Sequence, residues 1–192
     1  GASDFGYRLA RQFGLNVRET RAGLVPFVFS GTARELMERL SGISLYAALS
    51  TSHVTFADGV LFTHRGLSGP AALQLSSYWE PGSDIRLNLL PEHDAVSLLL
   101  EAKVAQPKAL MRTVLSAILP RALVLALEPL WWQDSAEVPL AEISGDILRQ
   151  VADHLHEWTL RPWVVSIPMN CPRKPWSANG NPVFTASVKS WM

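Results

Sequence analysis

The sequence predicts an α+β chain in which a β-rich first half is followed by a helical second half. Three observations carry this reading. Through Leu90 the apolar residues fall in short runs of β-type composition, broken by turn residues. From Asp94 onward they recur every three or four residues, the spacing of a helix face. No strand–GxGxxG–helix unit is present, so a dinucleotide-binding Rossmann unit is not expected. Strands followed by helices, rather than alternating with them, is the α+β pattern.

The elements follow in order. Phe5, Leu9 and Phe13 share one helix face, with Ser3 as N-cap and Gly14 as stop. Leu15–Thr20 reads as a short strand. Gly23–Ser30 reads as a second, interrupted by Pro26, which cannot donate to a ladder. Thr32 and Glu35 form a capping-box pattern that opens a helix through Leu40, ended by Gly42. Ile43–Ser50 and His53–Ala57 read as strands, Asp58-Gly59 as a turn, and Val60–Thr63 as a further strand. Ser68 can cap and Pro70 suits the first turn of a helix over Ala71–Tyr78. Pro81-Gly82 is a turn, and Ile85, Leu87 and Leu89 alternate as a half-buried strand. Helical patterns then cover Asp94–Ala105, Lys108–Leu119, Arg121–Leu127 and Ser144–Leu160, the last with Ile147, Leu148, Val151, Leu155 and Trp158 on one face. The final segment holds Pro162, Pro168, Pro172, Pro175 and Pro182 with Trp163, Trp176 and Trp191. It reads either as a strand return to another domain or as a segment that does not fold as written.

The chain has 192 residues, enough for one generous domain or two small ones. Apolar residues make up 48% and charged residues 18%, which excludes a disordered protein. Lys+Arg and Asp+Glu are both 17. Zero net charge argues against a dedicated nucleic-acid binder, so no nucleic-acid partner is expected. The single cysteine, Cys171, excludes a disulfide framework within the chain and suggests a cytoplasmic setting. No run approaches the ~20 apolar residues of a membrane span, so no membrane partner is expected. The start, without an initiator Met, reads as a cut into a longer protein.

The strongest local signal is Thr63-His64-Arg65-Gly66-Leu67-Ser68-Gly69-Pro70. Two glycines, a serine and a proline between a strand end and a helix start offer backbone N–H groups to an anion or a carbonyl oxygen. His64 adds switchable charge and Arg65 fixed charge. An ordinary capped strand-to-helix turn accounts for the same residues. The string is neither a Walker loop nor a GxSxG elbow. His53, His64, His93, His154 and His156 lack metal-ligand spacing, so no metal site is expected. Trp131-Trp132 reads as a hydrophobic contact, and Met37 and Met111 as core.

Three strings carry a family resemblance: GASDFGYRLARQFGLNVRETRAGLVPF at the start, LFTHRGLSGPAALQLSSYW from Leu61, and Leu87-Asn88-Leu89-Leu90-Pro91. In this order they are similar to the BaiN/YhiN-type bacterial flavoproteins, NAD(P)/FAD-dependent oxidoreductases of aminoacetone-oxidase-like type. The match runs from Gly1 to about Trp163. The resemblance implies an insert domain with a β-barrel-like part and a helical part, without the Rossmann-like FAD domain that it interrupts. It implies residues 1–22 at the edge of the flavin domain, 23–91 as the β-rich part, 92–161 as the helical part, and 162–192 as the return segment. In that last segment only residues such as Arg173, Lys174 and Gly180 echo the family.

The resemblance further implies FAD in the full-length protein, absent from this fragment, with hydride passing between a nicotinamide or amine-type donor and an acceptor. It places Gly1, Ser3, Gly6 and Tyr7 in the flavin-domain segment, and Thr63, Gly66, Gly69 and Pro70 with His64 and Ser68 facing the flavin and a small-molecule substrate. His64 is the nearby group suited to proton transfer, and Ser68 to orienting an oxygen. The fragment is expected to be inactive alone and to partner the rest of its flavin-binding domain. Two other readings stay open: a self-contained protein-interaction or small-ligand-binding module with no redox role, and a small hydrolase using Ser68 and His64.

Overall fold

In a computed structural model the described residues are 4–18 and 23–165. Contacts divide the chain into two units, one of them Gly23–Val165. In the other, the described part is helix α1 (Phe5–Gln12) and the turn after it. Asp4 occupies its N-cap position; Ser3 lies outside the described residues. Gly14 is its stop: Gly14 N–H donates to Arg11 O and Leu15 N–H to Ala10 O, which meets two orphan carbonyls. Leu15–Arg18 carries no strand, contrary to expectation.

The larger unit is α+β with a barrel-like antiparallel sheet. Its strands are β1 (Phe27–Val28), β2 (Ser44–Ser50), β3 (Thr55–Thr63), β4 (Gly66–Ser68), β5 (Ile85–Asn88), β6 (Trp158–Leu160) and β7 (Val164–Val165). Their order across the sheet is β6-β5-β2-β3-β4-β1-β7. β1 is only two residues long, as Pro26 requires. Helix α2 (Gly31–Arg39) follows it, and α3 (Pro70–Ser76) follows β4. Four helices fill the connection from β5 to β6: α4 (Ala95–Ala105), α5 (Met111–Leu115), α6 (Arg121–Trp131) and α7 (Gly145–His156). Those two strands are neighbours, Ile85 opposite Leu160 and Leu87 opposite Trp158. The helical part therefore leaves the sheet and returns to it at the same edge. At the opposite edge the chain arrives and departs side by side, with Phe27 opposite Val165 and Val28 opposite Val164.

One continuous core joins the two parts. Phe27, Met37, Leu49, Phe62, Leu67 and Leu87 are buried in the sheet part, and Leu99, Met111, Leu127, Leu148 and Leu155 in the helical part. Each such side chain contributes about 1.5–3 kcal/mol on burial. Trp132 is buried, while Trp131 stacks on His154 and meets Trp158 edge-on at 5.4 Å.

Several expectations need correction. The capping box does not form: α2 starts at Gly31 behind Ser30, with no side-chain cap. Asp58-Gly59 is not a turn, because β3 runs unbroken through it, paired to Tyr46 and Ala47. A Cβ at Gly59 would lie 3.6 Å from Pro70 Cδ, an ordinary contact, so the strand would accept a side chain there. The Lys108–Leu119 helix shrinks to α5. The Arg121–Leu127 helix lengthens through Pro129 to Trp131, held by the buried face of Leu123, Val124, Ala126 and Leu127. Trp158 belongs to β6, not α7.

Candidate functional site

The Thr63–Pro70 string folds as a tight hairpin and not as a strand-to-helix turn. β3 and β4 pair with Thr63 opposite Gly66, Phe62 opposite Leu67 and Leu61 opposite Ser68. His64 and Arg65 form the two-residue tip. The Thr63 hydroxyl closes it, donating to Gly66 O at 3.1 Å and accepting from the N–H groups of Gly66 at 3.1 Å and Arg65 at 3.4 Å. Arg65 O accepts from Phe29 N–H at 2.9 Å, which ties the tip to the segment after β1.

Both glycines are sites of close approach. A Cβ on Gly66 would collide with Phe27 O and lie 2.9 Å from Phe29 Cδ2. Gly69 has φ +92, and a Cβ there would sit 2.5 Å from Gly59 O. Only glycine satisfies that position. Gly69, not Ser68, is the N-cap of α3, and Pro70 takes its first position. The expected serine cap is lost because Ser68 is drawn into the ladder.

Ser68 is half-buried and His64 is exposed. Neither side chain hydrogen-bonds to another described residue. The register separates them: Ser68 lies two residue steps along the hairpin from the pair that flanks the tip, roughly 7 Å of strand. This is not a nucleophile–base pair in hydrogen-bond reach. Gly6 and Tyr7 lie on α1, both exposed. Gly1 and Ser3, and Arg173, Lys174 and Gly180 with the other residues beyond 165, lie outside the described residues.

The described residues do not by themselves form a cradle for FAD. The space that Gly66 and Gly69 leave open is filled by the chain's own backbone. Two concavities among the described residues, about 220 Å³ and about 160 Å³, lie elsewhere and fall below the ~300–1,000 Å³ of small-molecule sites. Among the described residues no group of three or more His, Cys, Asp or Glu side chains can hold a metal ion. Among them, too, no helix is long and apolar enough to cross a membrane.

Sequence reasoning overlooked three polar features. Arg112, Thr113, Ser116 and Arg121 gather around the α5–α6 turn. Tyr46 and His93 meet in a groove beside that turn. His156 joins three elements through its ring nitrogens. The alternation of Ile43–Ser50 signals that Tyr46 leaves the core face, but nothing local signals what it faces.

A family model described as the HI0933-like protein barrel and H2TH domain matches residues 21–164. A ribosomal RNA dihydrouridine synthase of Escherichia coli (strain K12) is 40% identical over 163 residues, which is 84% of this chain and 40% of the relative. A protein of the same name from Haemophilus influenzae is 40% identical over 164 residues, with the same shares covered. The chain thus spans about two fifths of the length of these curated relatives. Their names overturn the exclusion of nucleic acid drawn from zero net charge. A net charge sums over the chain, and reports neither where cations lie nor what the rest of a longer protein carries.

Proposed function

The chain belongs to the HI0933-like barrel and H2TH domain family, a family of the flavoprotein type, and on that premise we propose that it is the insert of a longer enzyme that reduces uridine in ribosomal RNA. The observation that carries this reading is the 40% identity to two proteins named ribosomal RNA dihydrouridine synthase. The side-by-side arrival and departure of the chain at β1 and β7 supports the insert reading, since an inserted domain needs its two ends together.

Reducing a uracil ring adds two hydrogens, and a flavin supplies that chemistry when bound. Because the described residues do not form its cradle, we assign FAD, with a nicotinamide as reductant, to the remainder of the longer protein. Gly6 and Tyr7, with Gly1 and Ser3 before them, belong in this reading to the flavin-facing edge. Thr63, Gly66, Gly69 and Pro70 are the frame that presents Ser68 and His64. Ser68 orients an oxygen and His64 moves a proton, roles open to them because both side chains lack partners among the described residues. In sequence terms, residues 23–91 and 92–161 are the sheet and helical parts of one insert.

The test is nucleoside mass spectrometry of ribosomal RNA from cells lacking the full-length protein. Re-expression of the wild type should restore dihydrouridine, and His64→Ala should restore less. Unchanged dihydrouridine on deletion and re-expression would remove the functional reading. Full restoration by His64→Ala would remove only that residue's role.

A further inference from the structure

Two concavities open beside the turn that links α5 to α6. Ser116 and Ala117 line the first, and the next two residues, Ile118 and Leu119, line the second. Consecutive residues of one turn thus line both mouths. The first also holds Arg112, Thr113 and Arg121. The second is walled by Pro91 and Ile118, with the rings of Tyr46 and His93 and the carboxylate of Glu92. We propose that one unpaired nucleotide of the RNA substrate sits across this turn, its phosphate against Arg121 and its base against the ring of Tyr46. This rests on the functional reading above and adds to it the place where RNA is held.

The two mouths differ in chemistry in the way the two ends of a nucleotide do. In the first, Arg112 is already neutralised: its guanidinium meets Glu128 Oε1 at 3.1 Å and Glu137 Oε1 at 2.7 Å. Arg121 is exposed and has no acidic partner among the described residues. It is therefore the free cation of that mouth, with the hydroxyls of Thr113 and Ser116 beside it as donors to a phosphate oxygen. The second mouth has no cation fixed in it and carries Glu92, so it repels a phosphate. Its volume of about 160 Å³ suits one ring and not a dinucleotide. Tyr46 is 50% exposed, which leaves ring surface for a base to stack on. A cation without an acidic partner beside an exposed aromatic ring pairs the two chemistries that one nucleotide offers, an anionic phosphate and a stacking base, and this combination favours RNA.

The test is fluorescence anisotropy of the full-length protein with a fluorescein-labelled single-stranded RNA of about 12 nucleotides, inside the usual 4–16 nucleotide range of such sites, titrated across salt. Arg121→Glu should weaken binding about tenfold and make the salt slope shallower by about 0.7, one phosphate. Tyr46→Ala should weaken binding about five- to tenfold with the slope unchanged, and Tyr46→Phe should bind as wild type. Both residues changed here are exposed, and unchanged thermal unfolding of the three variants would exclude misfolding. Wild-type affinity and slope in Arg121→Glu and Tyr46→Ala would overturn the inference. So would loss of thermal stability without loss of RNA binding, which would make the groove a contact within the longer protein. If the wild type restores dihydrouridine while the variants bind normally, only this inference falls. If the wild type neither binds RNA nor restores dihydrouridine, the functional reading falls and this inference with it.

Discussion

The Thr63 hydroxyl makes three hydrogen bonds inside its own hairpin, and that sets what its loss should do. Thr63→Val keeps the shape and removes the bonds, at a cost of about 1 kcal/mol in urea unfolding. Because the hydroxyl is committed locally, the visible flavin spectrum of the full-length protein should not change. A lost flavin band would instead make Thr63 a cofactor ligand. Glycines with positive φ are of two kinds. Gly69 and Gly82 both have positive φ, but a Cβ at Gly82 would have nothing within 4 Å. Gly82→Ala should therefore cost only the backbone strain, about 1–2 kcal/mol. Gly69→Ala adds the collision with Gly59 O and should cost clearly more in the same urea assay. Equal costs would mean that β3 and the start of α3 give way there.

At the scale of elements, the helical part is anchored by its termini. Asp94 caps α4, accepting from Val96 N–H at 3.0 Å and from the Ser97 hydroxyl at 2.7 Å. The Ser97 hydroxyl, chiefly, holds this carboxyl below its ordinary 3.8. The folded state thus takes up that proton less readily than the unfolded chain. Its stabilisation is complete above the ordinary value and drains as pH falls through the lowered one. Thermal melts down to about pH 2 should show a shallower acid limb for Asp94→Asn, which keeps an acceptor without the titration; an identical limb would exclude the cap as its source. At the other end of the helical part, Ala95 N–H donates to His156 Nε2 at 3.0 Å, and the hydrogen-bond pattern assigns the ring proton to Nδ1, facing Asn88 Oδ1 at 3.2 Å. One ring thus joins β5, the start of α4 and the end of α7. His156→Phe should cost about 1–3 kcal/mol by leaving Ala95 N–H unmet.

The same scale shows what the sequence could disclose. The spacing of Leu148, Val151 and Leu155 and the cap at Ser144 located α7, because both signals are local. Pairing is not local. Trp158 continues the apolar spacing of α7 yet lies in β6 opposite Leu87, and Asp58-Gly59 has turn chemistry yet is held straight by β2. In the candidate site the string around Ser68 was legible as a motif, while its hairpin register was not. Tyr46 and Arg121 carry no motif; only the packing of the α5–α6 turn beside β2 gives them a shared role.

For the whole molecule, the question is whether residues 23–165 contain everything they need to fold. The core is continuous from sheet to helices, and Phe27 in the arriving strand is fully buried, with its ring edge-on to Trp79 at 5.7 Å. The chain departs beside it: Trp163 N–H donates to Val28 O at 2.8 Å, just before β7. An arriving strand buried in the core and paired with the departing one closes the unit at the point where it joins the rest of the protein. Residues 23–165 produced alone should therefore unfold in a single cooperative urea transition. The two glycines of the hairpin leave no open cradle, so added FAD should give no bound flavin band. A broad, uncooperative transition would mean that the remainder of the protein completes the core. Stoichiometric flavin on this segment would place the main cofactor site here and withdraw the proposed assignment of FAD to the remainder of a longer protein.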